Sequence, residues 1–201
     1  MRLNPFDDYP FHQAPTPFAT VATSDAHFND GYFCAFYASD WYFCTGLRLH
    51  PNVNVIDGWA AAAHANRQRV VRASRALHPR YGELEVGPVR YELVEPMKRL
   101  RLVAGENPSV VEFDVVLEAQ APPFVEDRYQ HYKYGAVVND LIRYTQICRA
   151  TGHARVDGRR IDIETWHAMR DHSWGVRSSM AVPTGVDGID RDGDETARRA
   201  L

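Results

Sequence analysis

The sequence predicts an all-β fold, in which an antiparallel meander of short strands closes into an up-and-down barrel or packs as a sandwich. Three observations support this fold class. Aromatic-rich or alternating segments recur along residues 30–177, turns containing Gly or Pro separate them, and little of the chain has a convincing helical period. With 201 residues, 45% of them hydrophobic, the chain is long enough for one domain with a substantial core.

The first elements are an irregular arm and an aromatic hairpin. Residues 1–29 are rich in Pro, Asp and His without a sustained period, which predicts an N-terminal arm before a barrel at residues 30–177. Residues 31–49 contain two aromatic-rich runs and predict a hairpin centred on Ser39. The alanines of residues 53–65 suit a helix as well as a strand, so both assignments are kept for that segment.

The middle of the chain gives the clearest strand signals. Polar and apolar residues alternate in residues 89–94, 98–104 and 109–119, which predicts strands with one buried and one wet face. Residues 121–142 break this pattern and form a long Tyr-rich connection with a possible helical turn, of the kind that serves as a lid or pocket wall. Residues 178–201 have few apolar side chains, which predicts a flexible tail or the beginning of a further unit.

The last hairpin allows its register to be predicted. If Asp157 and Gly158 form a two-residue loop, Val156 pairs with Arg159, and each further pair lies one residue further along both strands. The less charged face is expected to point inward. Its predicted pairs are Cys148 with His167, Gln146 with Met169, and Tyr144 with Asp171. His172 and Trp174 then face outward, unless the strand bulges before Gly175.

This inward face is apolar near the turn and polar further away, which is typical of a ligand cavity. Burial would raise the pKa of Asp171 and make it a candidate proton donor near neutral pH. The same groups would equally suit a polar core layer in which they satisfy one another. Asp171 and His172 alternate across the strand, so neither a catalytic dyad nor a metal site is expected, and no cofactor motif is present.

Composition narrows the class of protein. The formal net charge is -3 and the charged residues are spread along the chain, so the sequence shows no basic region of the kind that binds nucleic acid. No stretch approaches the roughly 18 to 20 apolar residues that span a bilayer, so a cytoplasmic protein without a transmembrane segment is expected. Three cysteines are too few for a disulfide framework and are expected to be buried thiols, although Cys34 and Cys44 would touch if they lay opposite each other in the hairpin.

Residues 170–177, RDHSWGVR, resemble the Arg-Asp-His-Ser-Trp-Gly-x-Arg signature of an uncharacterised bacterial branch of a lipocalin-like superfamily. That superfamily includes carotenoid hydratase (hydroxyneurosporene synthase), tocopherol cyclase and the AttH-type proteins. Residues 144–146, 156–158 and 84–102 extend the resemblance over roughly residues 28–177. It implies a lipocalin-like (calycin) barrel with a deep apolar pocket for isoprenoid-like or polyketide-like molecules.

The resemblance also implies chemistry, because characterised members protonate a carbon–carbon double bond and thereby hydrate or cyclise their substrates. Asp171 would donate the proton, Tyr144 and His167 would orient it or a water, and Trp174 would lie near the developing cation. The remaining candidate ligand-binding residues are Gln146, Met169, Cys148 and His172.

Three functions are therefore expected as alternatives. The first is a cofactor-independent lyase or isomerase acting on a hydrophobic small molecule, and the second is a non-catalytic lipid- or pigment-binding protein. Relatives carry a second barrel, so the third is a half-protein that works as a homodimer or with a second barrel-containing partner, through Trp166 and Trp174.

Overall fold

The computed structural model describes residues 5–10, 12, 14–38, 40–133 and 135–177. Within these ranges the chain forms one antiparallel sheet of twelve strands, two short 3-10 turns at Pro5–Asp8 and Pro51–Val53, and no α-helix. The strands are β1 (Phe28–Tyr37), β2 (Trp41–His50), β3 (Val55–His64), β4 (Arg67–Ala76), β5 (Glu85–Val86), β6 (Val89–Glu95), β7 (Arg99–Ala104), β8 (Val111–Ala119), β9 (Phe124–Val125), β10 (Tyr129–Lys133), β11 (Ala136–Val156) and β12 (Arg159–Arg177). The predicted all-β fold is confirmed. Residues 178–201, where a tail was predicted, lie outside the described residues.

The sheet curls into a barrel that is nearly closed. Its strand order is β4-β3-β2-β1-β12-β11-β8-β7-β6-β5, so the first long strand pairs with the last one. The alanine-rich segment is strand β3, which pairs residue by residue with β2 and β4. The predicted long connection contains β9 and β10, both paired with β11, and no helical turn among its described residues.

A seam remains between β4 and β5, which the strand ladders do not join. Side chains bridge it instead. Arg75 on β4 donates from Nε to the carbonyl of Glu85 at 2.9 Å and from Nη2 to the carbonyl of Glu83 at 3.0 Å. Gly87 approaches so closely that a Cβ there would lie 2.5 Å from the Cβ of Ala73, and its φ of +55° also favours glycine. Packing and side-chain hydrogen bonds thus bridge the seam, but no strand ladder closes it.

An aromatic core fills the end of the barrel near the β1–β2 turn. Phe36 and Phe43 are fully buried and stack with ring centroids 5.0 Å apart, while Phe113 meets Phe36 edge-on at 5.3 Å. The alternating segment of β8 behaves as predicted, since the apolar residues of one face, Val111, Phe113, Val115 and Leu117, are buried. Trp166, which was expected to face outward, is partly buried and packs against the core instead.

The β1–β2 hairpin separates the cysteines rather than joining them. Ser39, its predicted centre, lies outside the described residues, and Cys44 pairs with Ala35 while Cys34 pairs with Thr45. Adjacent residues point to opposite faces of a strand, so Cys34 and Cys44 do not touch. All three cysteines are free thiols, and Cys34 and Cys148 are buried.

The register of the last hairpin is correct near its turn and wrong beyond it. Val156 pairs with Arg159 as predicted, but a β-bulge between Gly152 and Ala150 adds one residue on β12. A Cβ at Gly152 would overlap the carbonyl oxygen of Asp114, and its φ is +139°, so this site requires glycine. Beyond the bulge every β12 side chain lies on the face opposite to the predicted one. The observed pairs are Cys148 with Ala168, Gln146 with Arg170, and Tyr144 with His172.

None of the described residues belongs to a helix long and apolar enough to cross a membrane. Within the same ranges, no group of three or more His, Cys, Asp and Glu side chains is arranged to hold a metal ion.

Candidate functional site

Polar side chains from three neighbouring strands meet inside the barrel, beyond the aromatic core. The pairing of β1 with β12 and of β12 with β11 aligns them in two rows on one face of the sheet. Both rows lie on the inner face of the sheet. The row nearer the barrel rim, which we call the outer row, is Tyr32, His172 and Tyr144; the deeper or inner row is Cys34, Arg170 and Gln146. Together with Asp30 they form what we call the polar interior cluster.

His172 is the centre of the outer row. Its ring stacks on Tyr32 with centroids 4.2 Å apart and meets Tyr144 edge-on at 5.5 Å. Its Nε2 lies 2.6 Å from Oδ1 of Asp30, which reaches it from β1. If Nε2 carries the proton and donates it to Asp30, Nδ1 is left as an acceptor, and no described residue forms a hydrogen bond with Nδ1.

Trp174 marks the rim of this row. It lies on the same side of β12 as His172, two residues further along, and their rings are 5.2 Å apart. The sequence placed both residues on the outside, but the extra residue of the β12 bulge turns them to the inner face. Trp174 keeps 39% of its surface exposed, so the outer row opens towards solvent.

The inner row is built around a buried arginine. Arg170 is only 3% exposed, and its Nε and Nη2 both donate to Oε1 of Gln146, at 2.8 and 2.5 Å. Gln146 is fixed in turn, since its Nε2 donates to the carbonyls of Met97 and Ala121 at 3.0 and 2.8 Å. The guanidinium also lies over the ring of Tyr144, 5.9 Å from its centroid.

Burial keeps the hydroxyl and thiol groups of the cluster protonated. Desolvation raises the pKa of Tyr32, Tyr144 and Cys34, and the positive charge of Arg170 offsets only part of that rise. Burial also raises the pKa of Cys148. These groups are therefore neutral hydrogen-bond donors near pH 7.

Asp171, the predicted proton donor, lies on the other side of the sheet from Tyr144. It pairs with Phe33 and Thr145 on the outer face, where its Oδ2 is 3.9 Å from Nη1 of Arg143. Burial raises the pKa of Asp171, and the positive charges of Arg143 and Arg48 lower it by a smaller amount. The predicted pairing of Asp171 with Tyr144 is nevertheless wrong, because the bulge reverses the face.

His167 and Met169 also lie on the outer face. The Nδ1 of His167 is 3.0 Å from Nη1 of Arg149, and its ring is 5.8 Å from that of Tyr37. Both residues line a groove of about 460 Å³ that Tyr37 and Tyr42 also border. Of the eight site residues expected from the sequence, five thus lie inside or at the rim, namely Tyr144, Gln146, Cys148, His172 and Trp174, and three lie outside.

Sequence reasoning missed Asp30, Tyr32 and Arg170. Asp30 and Tyr32 enter the cluster through the β1–β12 pairing, which joins residues about 140 positions apart and leaves no local pattern. Arg170 had a usable signal, because it alternates with His172 in RDHSWGVR and must share its face.

Comparison with known proteins identifies one family. No curated protein and no solved structure matches the chain. The model of a Family of unknown function (DUF8625) matches residues 3–196. Because this match covers nearly the whole sequence, the chain belongs to the Family of unknown function (DUF8625).

Proposed function

We propose that the protein binds a hydrophobic small molecule at the rim of the barrel interior and that the Asp30–His172 pair moves a proton on it. One observation carries this proposal: a histidine bonded to a carboxylate at 2.6 Å stands between two tyrosine rings and beside an exposed tryptophan. A base oriented by a carboxylate and bordered by aromatic surface is the arrangement that acid–base catalysis on an apolar molecule needs.

The chemistry follows from the hydrogen bond to Asp30. With Nε2–H donated to Asp30, Nδ1 takes a proton from a carbon of the ligand, and the carboxylate stabilises the imidazolium that forms. Returning the proton to a different carbon of the same molecule gives isomerisation without any co-reactant. Starting instead from the imidazolium, Nδ1–H protonates a double bond; the cation then closes a ring and loses a proton back to Nδ1, or adds one water whose extra proton returns to Nδ1. The exposed ring of Trp174 would stabilise a cationic intermediate.

The proton-transfer step is tested with geranylacetone, an isoprenoid ketone, in D₂O. The protein is expected to accelerate deuterium exchange at the carbons next to the carbonyl, followed by mass spectrometry. His172→Gln is expected to reduce the exchange to the buffer rate while geranylacetone still quenches tryptophan fluorescence, because only the base is lost. His167→Gln is the matched control, since it changes a histidine of the same strand on the outer face.

The outcomes separate catalysis from binding alone. Binding of the ketone without exchange above the buffer rate favours the non-catalytic lipid- or pigment-binding alternative. Equal loss of exchange in both histidine variants would refute the assignment of His172 as the base.

A further inference from the structure

The interior of the barrel holds a positive charge without a carboxylate partner. Arg170 is 3% exposed, and among the described residues no Asp or Glu forms an ion pair with it. Several more exposed arginines do have such partners, as Arg101 has Asp114 at 2.6 Å. A buried charge without a counter-ion is costly for a folded protein, so its presence calls for an explanation other than stability.

Three of the five N–H donors of Arg170 form no hydrogen bond with the described residues. A guanidinium group has five N–H donors, and the Nε–Nη2 edge spends two of them on the single oxygen of Gln146. The other three, which include both donors of Nη1, form no hydrogen bond with any residue in the described ranges. The Nη1–Nη2 edge is the fork that binds a carboxylate through two parallel hydrogen bonds.

The orientation of this fork is fixed before any ligand arrives. The amide nitrogen of Gln146 donates to two main-chain carbonyls, of Met97 and Ala121, so its oxygen must face Arg170. Gln146 therefore holds the guanidinium in place without neutralising it. Holding a binding group in its bound orientation lowers the entropy lost on association.

The groups around Arg170 supply no negative charge. Its neighbours across the strands are the thiol of Cys34 and the amide of Gln146, and the ring beneath it is that of Tyr144. Burial keeps the Cys34 thiol and the Tyr144 hydroxyl protonated by raising the pKa of each. The one carboxylate of the polar interior cluster, Asp30, is bonded to His172 and forms no ion pair with Arg170.

We infer that the ligand is an apolar carboxylic acid whose carboxylate binds the Nη1–Nη2 edge of Arg170. This inference rests on the proposed function and specifies its substrate class. Arg170 and His172 lie two residues apart on one face of β12, which corresponds to about 7 Å along a strand. The carbon that exchanges its proton with His172 then lies only a few bonds from the carboxylate, and the apolar body extends towards Trp174 and the rim.

The test uses three probes with one isoprenoid body: farnesoic acid, its methyl ester and farnesol. Each is titrated into the full-length protein at pH 7.5, and binding is measured by tryptophan quenching and by native mass spectrometry. Farnesoic acid is expected to bind at least about tenfold more tightly than the ester and the alcohol, as a charge-assisted bidentate pair provides. Arg170→Met is expected to remove this preference while changing the affinity for farnesol by less than about threefold.

Two further variants make the result specific. Arg149→Met removes an arginine from the outer face of the neighbouring strand and is expected to leave the preference for the acid intact. Arg170→Lys keeps the charge but loses the fork, so an intermediate preference is expected. Circular dichroism checks that each variant is folded, and the comparison of the three probes on the unmodified protein needs no variant.

The outcomes distinguish a failure of the carboxylate inference from a failure of the proposed binding function. Equal binding of acid, ester and alcohol overturns the carboxylate inference but leaves a hydrophobic binding site. A preference for the acid that survives Arg170→Met overturns the role of Arg170. If none of the three binds, the proposed binding function fails and this inference fails with it.

Discussion

Replacing Gly152 with alanine is expected to destabilise the barrel strongly, because this glycine has a positive φ and lies directly against the main chain of β8. Its φ of +139° is a conformation that costs an L-residue about 1–3 kcal/mol. In addition, the new Cβ would overlap the carbonyl oxygen of Asp114 and lie 2.9 Å from Cα of Val115. These are main-chain atoms of β8, so they cannot rotate away. We expect a total loss of about 3 kcal/mol or more in the free energy of unfolding.

Gly158→Ala is the matched control for this measurement. Gly158 also has a positive φ, of +80°, but nothing lies within 4 Å of the position of its Cβ. Only the backbone cost of about 1–2 kcal/mol applies there. For a chain of this size, 1 kcal/mol corresponds to about 2–4 °C in Tm. Thermal unfolding followed by near-UV circular dichroism should therefore show a clearly larger decrease for Gly152→Ala, and equal decreases would refute the reasoning from the β8 contact.

Two further predictions concern the outer face and the seam. Asp171→Asn should leave proton exchange unchanged and should raise the Tm at pH 7. Burial raises the pKa of Asp171 in the folded protein, so ionisation of this carboxyl lowers the stability as pH rises above the ordinary pKa of 3.8. The difference between the two proteins should shrink as pH falls towards that value, and a lower Tm for the asparagine variant at pH 7 would contradict the argument. Arg75→Met should cost about 1–3 kcal/mol, because the carbonyls of Glu83 and Glu85 lose their donors. Amide hydrogen exchange should then accelerate along β4 and β5 more than along β11, and uniform acceleration would show that the seam does not open locally.

Local patterns predicted much of the fold. The alternation of β8 predicted its buried face, and Asp157-Gly158 predicted the turn and first pairs of the last hairpin. The candidate site was predicted less well because one extra residue in a strand exchanges its two faces. An isolated glycine within a strand is a known bulge signal, and Gly152 carried it, but the extra residue lies on the opposite strand at Glu164–Thr165, where no local pattern indicates it. Asp30 and Tyr32 depend on closure of the barrel, which no local pattern encodes.

The pairing of β1 with β12 also determines the order in which the protein can be assembled in the cell. One edge of β1 pairs with β2 at once, whereas its other edge pairs with residues 167–176. At 5–20 residues per second, the ribosome needs on the order of ten seconds to synthesise the stretch between them. During that time the edge strand that carries Cys34 and Phe36 has no final partner, and such an edge is a template for aggregation. We therefore expect the yield of folded protein to depend on chaperones that bind nascent chains.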